Sequence, residues 1–231
     1  MTHHARIGPN AVTQLALAFD AQAPELKRTV FARAHVGHWL DKPPAEMVDE
    51  MRVAYLHQIA RDALGPDDAR TLLGEAGLRT ADYILAHRIP APFRLLLPLL
   101  PAALAARLLV AAIGRHAWTF AGTGHFKARF RTGLVVSIAD NPFCRGEHSH
   151  DPVCAWHAAV FTRLFACLVH PKARAQEFTC CAAGDEACRF VIDWPRGQTW
   201  IQIKAQLIRL LPFSTREKFQ PPVPKDQTRA H

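Results

Sequence analysis

The sequence predicts an α+β domain in which an antiparallel sheet packs against helices, with a helical part ahead of it. Three observations lead there. Apolar residues recur at helical spacing as far as Gly114. Short alternating segments take over after it. One long helical stretch, from about Pro152 to His170, separates three strands from two more.

In the first part, Asn10 is placed to cap a short helix whose apolar positions are Val12, Leu15 and Phe19. A second helix fits Ala45 to Leu64, with Met47, Met51, Tyr55 and Ile59 along one stripe. Gly65-Pro66-Asp67 ends it and starts a third, through Leu72, Leu73, Ala76, Thr80 and Ile84. The run from Ile89 to Ile113 is the most apolar of the chain, but Arg94, Arg107, Pro98 and Pro101 interrupt it too often for a bilayer span. A buried helix, the wall of an apolar pocket and a segment at a membrane surface all fit it, and the buried helix is the expectation.

After Gly114, His116–Phe120 and Phe126–Arg131 read as strands, the second alternating Phe126, Ala128 and Phe130 with basic residues. Thr132-Gly133 turns into a strand from Leu134 to Ile138, which Asp140-Asn141-Pro142 closes. The helix from Pro152 to His170 places Val153, Trp156, Val160, Leu164 and Leu168 on a core. Strands follow over Arg174–Cys181 and Ala187–Trp194, with a turn at Gly184-Asp185. The expected division is residues 1–113 helical, 114–195 the sheet-containing domain, 196–213 an amphipathic helix and 214–231 a disordered tail.

Hydrophobic residues make up 49% and charged residues 21%, an ordinary balance for a soluble globular chain. The net charge of +8 is spread along the chain without a recognition helix or zinc-finger spacing, so nucleic acid is not an expected partner. An anionic small molecule suits the charge better. The first 18 residues lack a signal-peptide pattern, which places the protein in the cytoplasm, with a peripheral membrane position left open by the apolar run. Clustered cysteines in a reducing compartment point to metal before disulfides.

Cys154, Glu177, Cys180 and Cys188 carry the chemical signal. A helix from Cys154 to His170 runs roughly 24 Å, and the strand after it returns a comparable distance at about 3.3 Å per residue. Cys180 therefore comes back to the end of the domain where Cys154 sits. The hairpin at Gly184 sets Cys188 opposite Cys180, each four residues from the turn. Three thiolates and a carboxylate make a closed tetrahedral zinc set. Glu177 and Cys180 would face opposite sides of a regular strand, so the set needs a bulge, and Cys181 competes with Cys180 as ligand. Cys144 is a spare thiol, and the loop His148-Ser149-His150-Asp151 offers histidines. Plain burial of small hydrophobic cysteines is the alternative to metal.

The residues Glu177-x-x-Cys180, Gly184 and Cys188-x-Phe190, preceded by Asn141-Pro142 and Cys154, resemble the 4-vinyl reductase domain family over about Gly114 to Trp194. The opening Arg6-Ile7-Gly8-Pro9-Asn10-Ala11 resembles stand-alone members encoded with bacteriochlorophyll biosynthesis genes. The resemblance implies a ligand-binding α+β fold similar to a subunit of the vesicle-tethering transport particle, often dimeric, with structural zinc on Cys154, Glu177, Cys180 and Cys188. It also implies an apolar pocket between helices and sheet. Trp118, Phe130, Trp156 and Phe161 suit its walls, beside Phe120, Phe126 and Phe165, and His157 suits an axial ligand to a chelated magnesium. The same residues equally suit an ordinary core.

Three functional readings follow from the resemblance. The first is an accessory protein that binds a porphyrin or chlorophyllide intermediate and passes it between bacteriochlorophyll-pathway enzymes. The second is a vinyl reductase of that pathway. The third is a small-molecule sensor module. The residues support binding better than redox chemistry. Gly122-Thr123-Gly124 lacks the third glycine of a dinucleotide loop, no cysteine run suits an iron–sulfur cluster, and a fully ligated zinc has no open position.

Overall fold

The computed structural model describes residues 5–130 and 133–195. The helix and tail expected at 196–213 and 214–231 lie outside the described residues, as do Arg131 and Thr132. The fold is α+β, an antiparallel sheet packed on helices.

The chain enters through β1 (Arg6–Ile7), followed by α1 (Asn10–Gln22), α2 (Pro24–Arg33) and α3 (His38–Asp41). It then pairs β1 antiparallel with β2 (Val48–Asp49). In α1, Val12, Leu15 and Phe19 are buried, the face expected from their spacing. Asn10 is the first helical residue and not its cap. The N–H groups of Val12 and Thr13 instead reach the Pro9 carbonyl at 3.0 Å each.

α4 (Glu50–Leu64) starts later than expected, because the Asp49 carboxylate accepts from the N–H groups of Met51 and Arg52 at 3.0 and 3.1 Å. Its buried face is Val53, Leu56, His57 and Ala60, so the stripe expected through Met51 and Tyr55 is corrected. Both of those are exposed. Packing decided between the two stripes: His57 finds a hydrogen-bond partner inside, on the Ala11 carbonyl at 2.9 Å. Gly65, with φ of 77°, turns the chain into α5 (Pro66–His87), which buries Leu72, Leu73, Ala76 and Thr80.

The apolar run forms α6 (Ala91–Leu96), a 3-10 turn at Leu97–Leu99 and α7 (Ala102–Arg115). The buried helix expected here is corrected as well. Leu97, Ala105, Ala106 and Leu109 face the core, whereas Phe93, Leu95, Leu96, Leu104 and Leu108 are exposed. The prolines break the run into short pieces, each with one inward face. The strand expected at His116–Phe120 is also corrected, since Trp118–Ala121 forms a helix, α8. Ala117 and Ala121, four apart, are both buried and Trp118 between them is exposed, which is a helical period.

The sheet runs β3 (His125–Phe130), β4 (Leu134–Ala139), β6 (Ala187–Asp193), β5 (Arg174–Thr179), all antiparallel. Leu134, Val136 and Ile138 of β4 and Cys188, Phe190 and Ile192 of β6 are buried at alternate positions. They share one core with α9 (Ala155–Leu168), whose inner face is Trp156, His157, Val160, Phe161, Leu164, Phe165 and Leu168. α5 packs on α9, and α1 packs on α5. The crossing of α5 and α9 is tight at Gly77, where a Cβ would stand 2.3 Å from the Trp156 carbonyl oxygen.

Candidate metal centre

Four buried cysteines, Cys144, Cys154, Cys180 and Cys188, bring their sulfurs within 4.8 Å of one another. Each arrives from a different local structure. Cys188 sits near the start of β6, paired across to Ile138 of β4. Beyond β4, Asp140 takes a φ of 51°, and the Asn141 side chain caps a 3-10 turn at Pro142–Cys144 by accepting the Phe143 N–H at 3.2 Å. That turn carries Cys144. Cys154 occupies the N-cap position of α9. Cys180 follows β5 directly.

The register of β5 explains how Cys180 gets there. Glu177 pairs with Phe190, but Thr179 pairs with Arg189, so β5 spends one extra residue at a bulge around Phe178. One more step along each strand sets Cys180 opposite Cys188, with the sulfurs 3.9 Å apart. Between Cys180 and Cys181, the structure puts Cys180 in the group. The Cys181 sulfur lies 4.0 Å from the Ile138 carbonyl, and its N–H donates to the Cys188 sulfur at 3.4 Å.

Sulfur separations within the group are 3.4 Å for Cys144–Cys154, 3.5 Å for Cys144–Cys188 and Cys154–Cys188, and 3.8 Å for Cys144–Cys180. A regular tetrahedron of thiolates about 2.3 Å from a central ion has edges of about 3.8 Å. The four sulfurs therefore fit one ion, and the separations are far too long for disulfides. The Asn141 amide donates to the sulfurs of Cys154 and Cys188 at 3.3 and 3.4 Å, the kind of outer support that thiolate ligands receive. S–H donation from Cys144, Cys154 and Cys188 holds the Cys180 thiol far below its ordinary value, while Cys154 and Cys188 are pushed up. The group thus concentrates negative charge on Cys180, which a cation would neutralise.

Three of the four residues expected from the sequence are in this group. The fourth member is Cys144, and Glu177 stands beside it. One Glu177 oxygen accepts the Cys154 N–H at 2.8 Å, and the other is buried without a partner. Burial, followed by the negative charge at Cys180, raises its pKa to about 8. The histidines of the 148–150 loop are not part of the group.

The aromatic residues expected to wall a ligand pocket do not share a cavity. Trp118 is 50% and Phe130 39% exposed, the latter beneath the Arg107 guanidinium at 5.6 Å. Trp156, His157 and Phe161 are buried in the α9–sheet core, with Phe143 stacked on Trp156 at 5.4 Å and Phe190 against Phe161 at 5.3 Å. Burial lowers the His157 pKa to about 4, so the ring is neutral there. Close packing of these side chains on one another leaves no gap for a macrocycle. The larger surface cleft is instead lined by residues that include Arg61, Arg70, Leu73, Glu147, His148 and Pro152.

Two polar ties not foreseen from the sequence flank the centre. Buried Glu50 accepts from the Thr123 N–H at 2.7 Å and hydroxyl at 2.6 Å, and pairs with Arg145. Arg61 grips Glu147 with both arms, one at 2.7 Å, and donates to the Phe143 carbonyl at 3.1 Å. Both anchor the Cys144 loop to α4. Each joins residues more than 80 positions apart, a separation at which no local sequence pattern signals a pair.

Residues 134–193 match the 4-vinyl reductase domain family. The chain is 46% identical over 194 residues to the bacteriochlorophyll synthase 23 kDa chain of Cereibacter sphaeroides, covering 84% of this chain and 92% of that one. It is 40% identical over 193 residues to the protein of the same name from Rhodobacter capsulatus, covering 84% and 89%. Among solved structures, the phenol-responsive sensory domain of the transcription activator PoxR aligns at a TM-score of 0.43 and 18% identity, over 71% of this chain and 83% of that one. An H-NOX protein from S. oneidensis aligns at 0.47 and 11%, over 82% and 100%. The identity to the two 23 kDa chains, across nearly their full length, decides the matter: the protein belongs to the bacteriochlorophyll synthase 23 kDa chain family and carries a 4-vinyl reductase domain.

Proposed function

We propose that this protein is an accessory component of bacteriochlorophyll biosynthesis that binds a porphyrin or chlorophyllide intermediate and delivers it to a pathway enzyme. The observation that carries this reading is the 46% identity to a relative named as a chain of bacteriochlorophyll synthase. The positively charged chain suits a ligand bearing propionates. The macrocycle binds either by parting the Trp156–His157–Phe161 core or at the cleft beside Arg61 and His148, and ring-current shifts in the bound state would tell which.

The same proposal gives the four cysteines a structural zinc. Cys144, Cys154, Cys180 and Cys188 hold it, and Asn141 supports two of the sulfurs. A four-sulfur site has every position filled by protein, so its contribution is folding free energy and not activation of a substrate. It fastens four segments at one end of the sheet: the loop after β4, the start of α9, the end of β5 and β6.

The test is titration of the purified protein with a magnesium porphyrin and with protochlorophyllide, followed by a shift of the Soret band and quenching of tryptophan emission. Micromolar or tighter binding, with no conversion when NADPH or reduced ferredoxin is added to divinyl substrate, is the expected result. Catalytic formation of the monovinyl product by the pure protein would replace the carrier with a vinyl reductase. Absence of tetrapyrrole binding would remove both readings.

A further inference from the structure

We propose that α6, the 3-10 turn after it and α7 form a docking face for an anionic lipid bilayer, on which the protein rests without crossing it. Phe93, Leu95, Leu96, Leu99, Leu104 and Leu108 are between 37% and 58% exposed, all within 16 consecutive residues. A continuous stretch of large apolar side chains turned to solvent is uncommon on a free soluble protein and marks an interaction surface. No described helix is long and apolar enough to span a membrane.

Charge selects the occupant. Between Asp82 and Asp140 the sequence has 57 residues with seven arginines or lysines and no acidic residue at all. The net charge of the chain is +8, and seven of those charges fall in this stretch. The other 174 residues carry 21 basic against 20 acidic side chains. Arg107 and Arg115, both exposed, lie on α7 itself. Apolar side chains framed by arginine, without a carboxylate nearby, match the acyl and phosphate layers of an anionic lipid surface. A second copy of this chain would bring an equally basic face to the contact, with no acidic partner for it. The inference is independent of which ligand the protein carries, so it stands or falls apart from tetrapyrrole binding.

The experiment is vesicle flotation of the full chain with phosphatidylcholine alone and with phosphatidylcholine–phosphatidylglycerol mixtures. The protein should float with the anionic vesicles at least about tenfold more tightly than with neutral ones, and salt should weaken the binding. Leu95→Glu combined with Leu104→Glu should abolish flotation, and the single surface change Arg107→Glu should weaken it severalfold. Leu17→Glu, an equally exposed leucine on α1, should leave it unchanged. Circular dichroism establishes that each variant is folded, and Arg107→Glu serves should the double variant not fold. Equal binding to both vesicle types, no binding, or binding indifferent to these changes would overturn the proposal. So would a dimer dissociated by the same substitutions in the absence of vesicle binding, which would assign the face to a second copy.

Discussion

The carboxylate of Glu177 accepts the backbone N–H of Cys154 at 2.8 Å, and so caps the first turn of α9 beside the four clustered sulfurs. A carboxylate at a helix N-terminus satisfies an otherwise orphan donor and sits at the positive end of the helix dipole. Glu177 thereby positions Cys154 while Cys144 completes the sulfur tetrahedron.

This division of labour predicts different outcomes for two substitutions. Cys144→Ser should lower metal content sharply, because one thiolate of four is removed. Glu177→Gln should leave content near one ion per chain and weaken affinity by about tenfold, the scale of an outer-sphere change. Elemental analysis and competition with a chromophoric chelator measure both. Full occupancy in Cys144→Ser together with loss in Glu177→Gln would make the carboxylate the ligand.

How much of this was legible in the sequence depends on distance along the chain. The faces of α1 and α9 and the alternation of β4 follow from periods of 3.6 and 2, which are local. Cys180 was readable because a helix and a strand of known rise bring it back to Cys154. Cys144 was not. Its placement needs the left-handed Asp140, the Asn141 cap and the anchorage of its loop by Arg145 to Glu50 and Arg61 to Glu147, pairs separated by 95 and 86 residues. Trp118 was misplaced because a run as short as His116–Phe120, read without Ala121, looks the same in a strand as in one helical turn.

The contact of α5 with α9 predicts a packing failure at Gly77. A Cβ there would lie 2.3 Å from the Trp156 carbonyl oxygen and 2.8 Å from the Ala159 Cβ, neither of which belongs to a flexible side chain. Gly77→Ala should force the helices apart and cost about 1–3 kcal/mol, the range for overpacking a filled core. Urea denaturation would show a lower midpoint with an unchanged slope. A neutral or stabilising substitution, as helix propensity alone would give, would mean that the two helices are free to separate.

Glu50 predicts an energetic link between α4 and the loops beside the metal centre. Its carboxylate is buried, and Thr123 and Arg145 together satisfy it. Gly122, at φ 55°, leaves the room, since a Cβ there would stand 2.0 Å from a Glu50 oxygen. Glu50→Ala should cost about 3 kcal/mol, because it strands the donors that converge on the site. A double-mutant cycle with Arg145→Ala should return a coupling of about 1 kcal/mol or more. Additive effects would show the pair to be energetically independent.

His57 predicts how stability depends on pH. Its Nε2–H donates to the Ala11 carbonyl at 2.9 Å, while Nδ1 has no partner and the ring stands edge-on to Phe143 at 4.7 Å. A second proton on Nδ1 would be a buried charge with nothing to accept from it. Burial therefore lowers the pKa from 6.5 to about 3, with the nearby Arg61 and His157 adding to the effect and the Ala11 carbonyl opposing it. The unfolded chain binds this proton near pH 6.5 and the folded protein does not. The stabilisation is thus complete above pH 6.5 and is lost progressively as the pH falls toward 3. Well below pH 6.5, the unfolded state holds nearly one more proton at this site, which costs about 1 kcal/mol per pH unit. His57→Gln keeps a donor for Ala11 and removes the titration. Urea unfolding of both proteins from pH 7 to pH 5 should give a shallower loss for the variant, with carboxylates and thiols contributing equally to each. Parallel pH profiles would mean that the imidazole takes up its proton in the folded state and that the ring is not sealed from water.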